Sequence, residues 1–295
     1  MSADTTTTDV LEGVDLTGRT ALVTGASAGL GVETVRALQS AGCEVVGAVR
    51  DLDKAAGVVD CDLIPLDLSD LDSVRTAARE IAARLPRIDL LINNAGVMAP
   101  PLMRTRQGFE LQLGTNHLGH FVLTNALVPQ LVEGSRIVNV SSRGHLRSPI
   151  RWEDPHYRDE SQYEKWTAYG QSKTANVLFT VELEKRLAGQ GIHAFSLHPG
   201  VIMTELSRHL TEEDMLRMAK LMPKGGMVRK DVSAGAATTV FAAVSKELQG
   251  LGGLYLEDCE IAGPTPGDGS GGYAPYAMDA DEAARLWAWS EAETT

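Results

Sequence analysis

From Arg19 onward the chain alternates short, nearly continuous apolar runs with stretches whose apolar residues recur at helical spacing. The runs in TALVTG, CEVVGAV, CDLIPLD, IDLLINNAG, RIVNVSS, IHAFSLHPG and GGLYLED predict seven strands. Most lack polar alternation, as expected for strands covered on both faces. Between them GVETVRALQSAG, LDSVRTAAREIAARL, TNHLGHFVLTNALVPQLV, SKTANVLFTVELEKRLAG and VSAGAATTVFAAVSKEL read as helices, and DEAARLWAWSEAE as a short closing helix. Alternation of this kind predicts an α/β fold: one doubly wound, mostly parallel seven-stranded sheet with helices on both faces. No repeat or Pro/Gly/Ser linker interrupts the pattern, so residues 16–295 read as one domain. Residues 1–15, rich in Thr and Asp, read as a flexible tail.

Two stretches break the rhythm. Residues 143–168 are polar, aromatic and long, and residues 203–230 are rich in Met and Leu and run into a Gly-Gly pair. Long connections in a compact domain are commonly lids or binding loops, so the first is expected to be a substrate loop and the second a flap.

Composition narrows the classes. A net charge of −12 argues against general affinity for nucleic acid or anionic membrane. Cys43, Cys61 and Cys259 are odd in number and lack CxxC spacing, which points to a reducing compartment and to no zinc framework. No apolar run approaches the roughly 20 residues of a membrane-crossing helix, and MSADTTTTDV has no signal-peptide pattern. A soluble, cytoplasmic protein without membrane insertion is expected.

Chemistry enters at Thr24-Gly25-Ala26-Ser27-Ala28-Gly29-Leu30-Gly31, placed between the first strand and the first long helix. Glycines there let the backbone turn sharply and let a pyrophosphate approach the N–H groups at the helix start. The second strand ends near Val49, followed by Arg50 and Asp51. An Arg in that place accepts a 2′-phosphate, so NADP(H) is predicted in preference to NAD(H); a strand ending one residue later would instead bring Asp51 to repel it. Asp67 either holds the adenine amino group or caps the helix beginning near Asp70. Asn93-Asn94-Ala95-Gly96 closes the fourth strand with a small-residue turn where backbone can meet a ligand. Tyr169 and Lys173 lie four apart on a predicted helix, hence on one face. Ser141 and Ser142 are strand neighbours pointing to opposite faces, so only one can face a ligand. His117 and His120 look like a metal pair but lack a third ligand, and no metal is predicted.

TGASAGLG, Asp67-Leu68, NNAG, Asn116, NVSS, YGQSK and HPG occur in the order of the short-chain dehydrogenase/reductase (SDR) superfamily, which the chain resembles from about Arg19 to Gly200. AVRDLDKA, RIVNVSSRGH, DPHYR and AYGQSKTANVLF resemble its retinol dehydrogenase and WW-domain oxidoreductase branch. The resemblance implies a Rossmann domain and a catalytic tetrad of Asn116, Ser142, Tyr169 and Lys173, with Ser142 chosen over Ser141 by the family pattern. It implies cofactor contacts from Thr24, Gly25, Ser27, Gly29, Leu30, Gly31, Arg50, Asp67, Leu68, Asn94, Ala95, Gly96, Tyr169, Lys173, Pro199, Gly200, Val201 and Thr204. Tyr169 would exchange a proton with the substrate oxygen, its pKa lowered by Lys173 and the nicotinamide charge. Ser142 would hold that oxygen. Asn116 would anchor a water and backbone relay to Lys173. The stretch from Ser142 to Tyr169 is much longer than the family's common spacing, so a remodelled site mouth is expected.

Met98, His145 and Met203, with Ser142, are candidate substrate contacts, and Met103 and Trp152 further candidate lining. The flap's Met and Leu residues either meet an irregular apolar ligand or simply pack. The predicted reaction interconverts a carbonyl and an alcohol on a hydrophobic small molecule: an alcohol, ketone or aldehyde of steroid, retinoid or aryl ketone type. Double-bond reduction of the protochlorophyllide reductase type is the rival chemistry, and a non-catalytic dinucleotide sensor the rival class. A homodimer or homotetramer is expected, formed through the helices near Asn116 and Tyr169 that the family uses to dimerise.

Overall fold

The computed structural model describes all residues except Met1, 203–209, 211–213, 215–229 and 268–270. The flap positions Met203, Thr204, Leu206, Met215, Leu216, Met218, Leu221 and Met222 therefore lie outside the described residues.

All seven predicted strands form: β1 (Thr20–Thr24), β2 (Glu44–Val49), β3 (Asp62–Pro65), β4 (Ile88–Asn93), β5 (Leu131–Val140), β6 (His193–His198) and β7 (Leu254–Glu257). They pair in parallel, in the order β3-β2-β1-β4-β5-β6-β7. An eighth strand, β8 (Glu260–Ile261), adds an antiparallel edge to β7. Its two-residue turn holds Asp258 and Cys259 at φ 50° and 59°. Positive φ at both turn positions normally calls for Asn-Gly or Asp-Gly. Asp-Cys carries no such signal, which is why the sequence predicts seven strands and the sheet has eight.

The unbroken apolar runs are explained by coverage on both faces. Ala21 and Val23 of β1, Leu90 and Ile92 of β4, and Val138 and Val140 of β5 enter one core. The alternate residues Leu22, Leu91 and Ile137 enter the other. Helices α2 (Gly29–Ser40) and α8 (Val232–Val244) cover the first face. The second is covered by α4 (Leu71–Arg84), by the helical segment Leu111–Leu127 and by α7 (Lys165–Leu187). That segment comprises α5 (Leu111–Leu113), a π turn (Gly114–Leu118) and α6 (Gly119–Leu127). Short helices α1 (Thr7–Val10) and α3 (Leu52–Ala55) complete the chain's first part. The final helix α9 (Ala280–Thr294) lies over α7.

The N-terminal segment is docked, in contrast to the tail expected from its composition. Thr6 and Asp9 form a capping box for α1, and Thr7 Oγ1 reaches Glu33 at 2.7 Å and Ser233 at 2.8 Å. Val10 and Leu16 are buried against the first core. The Thr-rich composition hides a helix start, because Thr is a good N-cap as well as a disordered-tail residue.

Residues 143–168 form a fixed layer tied to its neighbours. Arg151 N donates to Gln171 Oε1 at 2.8 Å, and Gln171 Nε2 donates to the Pro155 carbonyl at 2.9 Å. Arg104 donates to the carbonyls of His156 and Tyr157. Trp152, proposed as a pocket wall, instead donates to Glu282 of α9 at 2.7 Å and stacks edge-on with Trp289. Phe121 of α6 and Phe179 of α7 pack on Trp287 of α9, with ring centroids 5.0 and 5.8 Å away. Part of the α6 and α7 surfaces is thus covered by α9. No helix of the described residues is long and apolar enough to cross a membrane.

Candidate active site

Reversal of strand order between β1 and β4 opens a crevice at the carboxyl edge of the sheet, where open α/β sheets bind their ligands. Gly25 follows β1 at φ 72°, and a Cβ there would meet Ala95 at 2.9 Å. A Cβ on Gly31 would stand 2.1 Å from the Gly25 carbonyl oxygen. The turn therefore requires glycine at both positions. Helix α2 begins without a side-chain cap, since Ala28 occupies its N-cap. Its first N–H groups and its dipole remain available to an anion, so this cradle fits the pyrophosphate of a dinucleotide.

Thr24 does not face that cradle. It is fully buried, and its Oγ1 accepts the N–H groups of Asn94 and Ala95, both at 3.0 Å. Asn94 Nδ2 returns a bond to the Thr24 carbonyl at 2.8 Å. Both residues tie the Gly-rich turn to the NNAG turn, a positioning role in place of the direct contact expected of Thr24.

Val49 is the last residue of β2, so Arg50 follows it, exposed and without a partner among the described residues. Asp51 is the N-cap of α3, accepting from Lys54 N at 3.0 Å. Asp67 accepts from Ser69 N at 2.8 Å and Ser69 Oγ at 2.6 Å, while Asp70 caps α4. Asp67 is therefore not the cap. Leu68 is buried, and its carbonyl lies against Gly119 of α6.

Helix α7 carries Tyr169 and Lys173. Glu164 caps it through Thr167 N at 2.7 Å, and its interior position leaves Tyr169 and Lys173 each 4% exposed. Lys173 Nζ donates to the Val140 carbonyl at 2.8 Å and lies 5.8 Å from the Tyr169 ring centre. Burial pushes the Tyr169 phenol up to about 12, and Ser142's hydroxyl is the one hydrogen-bonding group that pulls it down. Burial also pushes Lys173 down to about 7. The lowering of Tyr169 expected from Lys173 is not supplied by the chain's own groups. Desolvating phenol and ammonium in one apolar pocket favours the neutral form of each.

The two serines lie just past the end of β5, and they point apart as neighbours on extended backbone should. Ser141 Oγ donates to the Lys173 carbonyl at 2.8 Å and is buried behind the helix. Ser142 is the serine that meets Tyr169, and its Oγ also accepts from Gly144 N at 3.0 Å. Asn116, fully buried on the π turn, accepts from Val97 N at 2.8 Å. Its amide donates to the Val97 carbonyl at 3.0 Å and to Ser172 Oγ at 2.9 Å. Asn116, Ser142, Tyr169 and Lys173 are thus brought together around the ends of β4 and β5. Met98 packs beside Tyr169 with Trp166 and Leu210, a position suited to a pocket wall. Pro199, Gly200 and Val201 follow β6 at the same edge, Gly200 at φ 100°.

His145 differs from the expected substrate contact. It is fully buried; its Nδ1 donates to the Ser142 carbonyl at 2.6 Å and its Nε2 accepts from Ala274 N at 3.1 Å. With Arg143, which reaches Glu257 at 3.1 Å, it clasps the Ser142 loop to the C-terminal segment. Met103 is 48% exposed at the surface. His117 meets Ser290 of α9 at 2.7 Å, whereas His120 turns to Thr24 and to the Asn116 carbonyl. Two supports lie within RIVNVSSRGH but take no role from the sequence alone. Asn139 of β5 accepts from Asn93 and donates to Thr180, each at 2.9 Å, beneath the site. Gly144 lies against the Tyr169 ring.

The family model described as short chain dehydrogenase matches residues 19–153. Short-chain dehydrogenase/reductase prx1 of Penicillium rubens is 41% identical over 281 residues, spanning 90% of this chain and 82% of that protein. Retinol dehydrogenase 11 of Mus musculus is 40% identical over 261 residues, spanning 84% of this chain and 80% of its own length. Among solved structures, the RhlG/NADP active-site complex of Pseudomonas aeruginosa superimposes with a TM-score of 0.65 at 26% identity, covering 82% of this chain and 95% of that one.

Proposed function

The chain belongs to the short-chain dehydrogenase/reductase family, on its retinol dehydrogenase-like branch, and from that premise we propose that it interconverts a carbonyl and an alcohol on a hydrophobic small molecule with NADP(H). It is an oxidoreductase of the nicotinamide dinucleotide class. The observation that carries the finer reading is the placing of Ser142 Oγ and the Tyr169 ring side by side against Gly144, with Tyr169 one helical turn from Lys173.

Each residue's role follows from its chemistry. In reduction the Tyr169 phenol gives its proton to the carbonyl oxygen, and in oxidation it takes the alcohol proton. Ser142 holds the same oxygen, where its hydroxyl stabilises developing negative charge. Lys173 would hold the ribose hydroxyls, and the positive ring of the oxidised dinucleotide would favour phenolate. Asn116 fixes the turn at Val97 and, through Ser172, the backbone of α7. Gly25, Ser27, Gly29, Leu30, Gly31, Ala95 and Gly96 would hold the dinucleotide, which supplies the hydride and, when oxidised, a positive ring. Arg50 supports the choice of NADP(H), because Asp51 is engaged as a helix cap while the guanidinium is exposed. The apolar group formed by Met98, Trp166 and Leu210 beside Tyr169 supports a hydrophobic substrate.

The test follows NADPH oxidation across a panel of retinoid, steroid and aryl aldehydes and ketones. Turnover of at least one is expected, lost in Tyr169→Phe with NADPH affinity retained. Full turnover in Tyr169→Phe, or NADPH binding without turnover of any panel member, overturns the reading.

A further inference from the structure

The nucleotide turn and the tetrad are joined by a closed ring of hydrogen bonds. Thr24 Oγ1 accepts from Asn94 N and Ala95 N. Two residues on, Val97 exchanges both its backbone groups with the Asn116 side chain. The backbone carbonyl of Asn116 accepts from His120 Nδ1 at 3.0 Å. His120 Nε2 then lies 2.9 Å from Thr24 Oγ1, which closes the ring.

Proton inventory fixes the direction of each bond. A carbonyl only accepts, so Nδ1 of His120 carries the hydrogen. Thr24 Oγ1 already accepts two N–H bonds and has one hydrogen to give. His120 Nε2 at 2.9 Å receives it; the Ile92 carbonyl at 3.4 Å is the longer alternative. The ring therefore closes with a neutral imidazole in a single tautomer. Burial to 2% exposure, backed by the nearby Lys173 charge, pushes the His120 pKa down to about 4 and keeps that tautomer at neutral pH. From Asn116 the network runs on through Ser172 Oγ to the Tyr169 carbonyl at 2.8 Å.

We propose that His120 is a positioning residue that locks the Asn116 carbonyl to Thr24 and so couples dinucleotide seating at the Gly-rich and NNAG turns to alignment of the tetrad. The proposal rests on the tetrad reading given above. An apolar residue of similar size would fill the same space and leave Thr24 and Asn116 without their common partner. Asn at position 120 preserves a donor near the Nδ1 site, and Gln preserves reach toward Thr24, so the two halves of the link can be separated.

The experiment uses the full chain with His120→Leu, His120→Asn and His120→Gln, each checked for folding by thermal melt. Amide hydrogen exchange at Asn94–Val97, NADPH affinity by nucleotide fluorescence, and kcat and KM for the best aldehyde or ketone of the panel are measured. In His120→Leu, exchange at Ala95 and Val97 should quicken and NADPH affinity and kcat should each fall about tenfold, with the carbonyl KM nearly unchanged. His120→Asn and His120→Gln should each recover part of the loss. Exchange and NADPH affinity within about twofold of the parent in His120→Leu overturn the proposal, as does a loss that neither polar variant relieves. If His120→Leu does not fold, parent-like exchange and affinity in both polar variants overturn it. Tyr169→Phe run in parallel separates the two readings. Retained turnover there defeats the tetrad assignment, whereas exchange and NADPH affinity report on His120 independently.

Discussion

Gly144 lies so close to Tyr169 that a Cβ on it would stand 2.7 Å from ring Cε1 and 2.8 Å from Cδ1. The ring is buried and cannot swing away, so a methyl group there must displace either the phenol or the Ser142 turn. Gly144→Ala is expected to lower kcat by about a hundredfold, the scale of a misplacement near 1 Å, while NADPH affinity stays near the parent value. Turnover within about twofold of the parent would show that the close approach has no catalytic consequence.

Arg50 predicts dinucleotide preference. Arg50→Ala should raise the Michaelis constant for NADPH by about tenfold or more, the effect of one charge-assisted hydrogen bond, and leave that for NADH nearly unchanged. Equal effects on both dinucleotides would remove Arg50 from the phosphate site.

Acid should destabilise the fold. Burial lowers His117 to about 3, and His120 and His145 to about 4, from an ordinary value of 6.5. Because their folded pKa values are depressed, the unfolded chain binds more protons between about 4 and 6.5. The stability contributed by these neutral imidazoles is complete above 6.5 and is lost as pH falls through that window, up to about 3 kcal/mol each. Glu110 works in the opposite sense. Burial raises it from 4.5 to about 7, so the folded chain binds the extra proton and gains stability on acidification through that range. Three histidines outweigh one glutamate, and the melting temperature should be lower at about pH 5 than at about pH 7. A melting temperature that rises on acidification would contradict this balance.

Trp287 should be a stability residue with no role in turnover. It is 6% exposed, between Phe121 and Phe179, with the Arg186 guanidinium 4.0 Å from its ring centre. Trp287→Ala should cost about 3–5 kcal/mol of unfolding free energy, the range for a large buried aromatic, and leave kcat per folded molecule near the parent value at low temperature. A loss below about 1 kcal/mol would mean that α9 contributes little to the packing of α6 and α7.

What was legible in the sequence was local. Strands covered on both faces announce themselves as apolar runs, and the glycine turns, Asn116, Ser142, Tyr169 and Lys173, which the fold gathers at one edge of the sheet, sit in short motifs. What was hidden depends on partners far along the chain. Thr24 reads as a nucleotide contact until His120, 96 positions away, and the NNAG turn are seen to occupy its oxygen. His145 and Trp152 read as pocket walls because their residue types suit a wall. Only packing shows their polar atoms turned toward Ala274 and Glu282. The docked N-terminal segment and β8 were missed because Thr-rich composition and an Asp-Cys turn carry weak local signals.

The covering of α7 by α9 has a consequence for the order in which the molecule can be completed. During synthesis α7 emerges well before α9, with β6, α8 and β7 made in between. Over that interval Leu178, Phe179 and Leu183 lack the partners that finally bury them, Leu286 and Trp287 among them. Helix α7 thus presents an apolar stripe on the growing chain that is buried only when α9 and its tryptophans arrive.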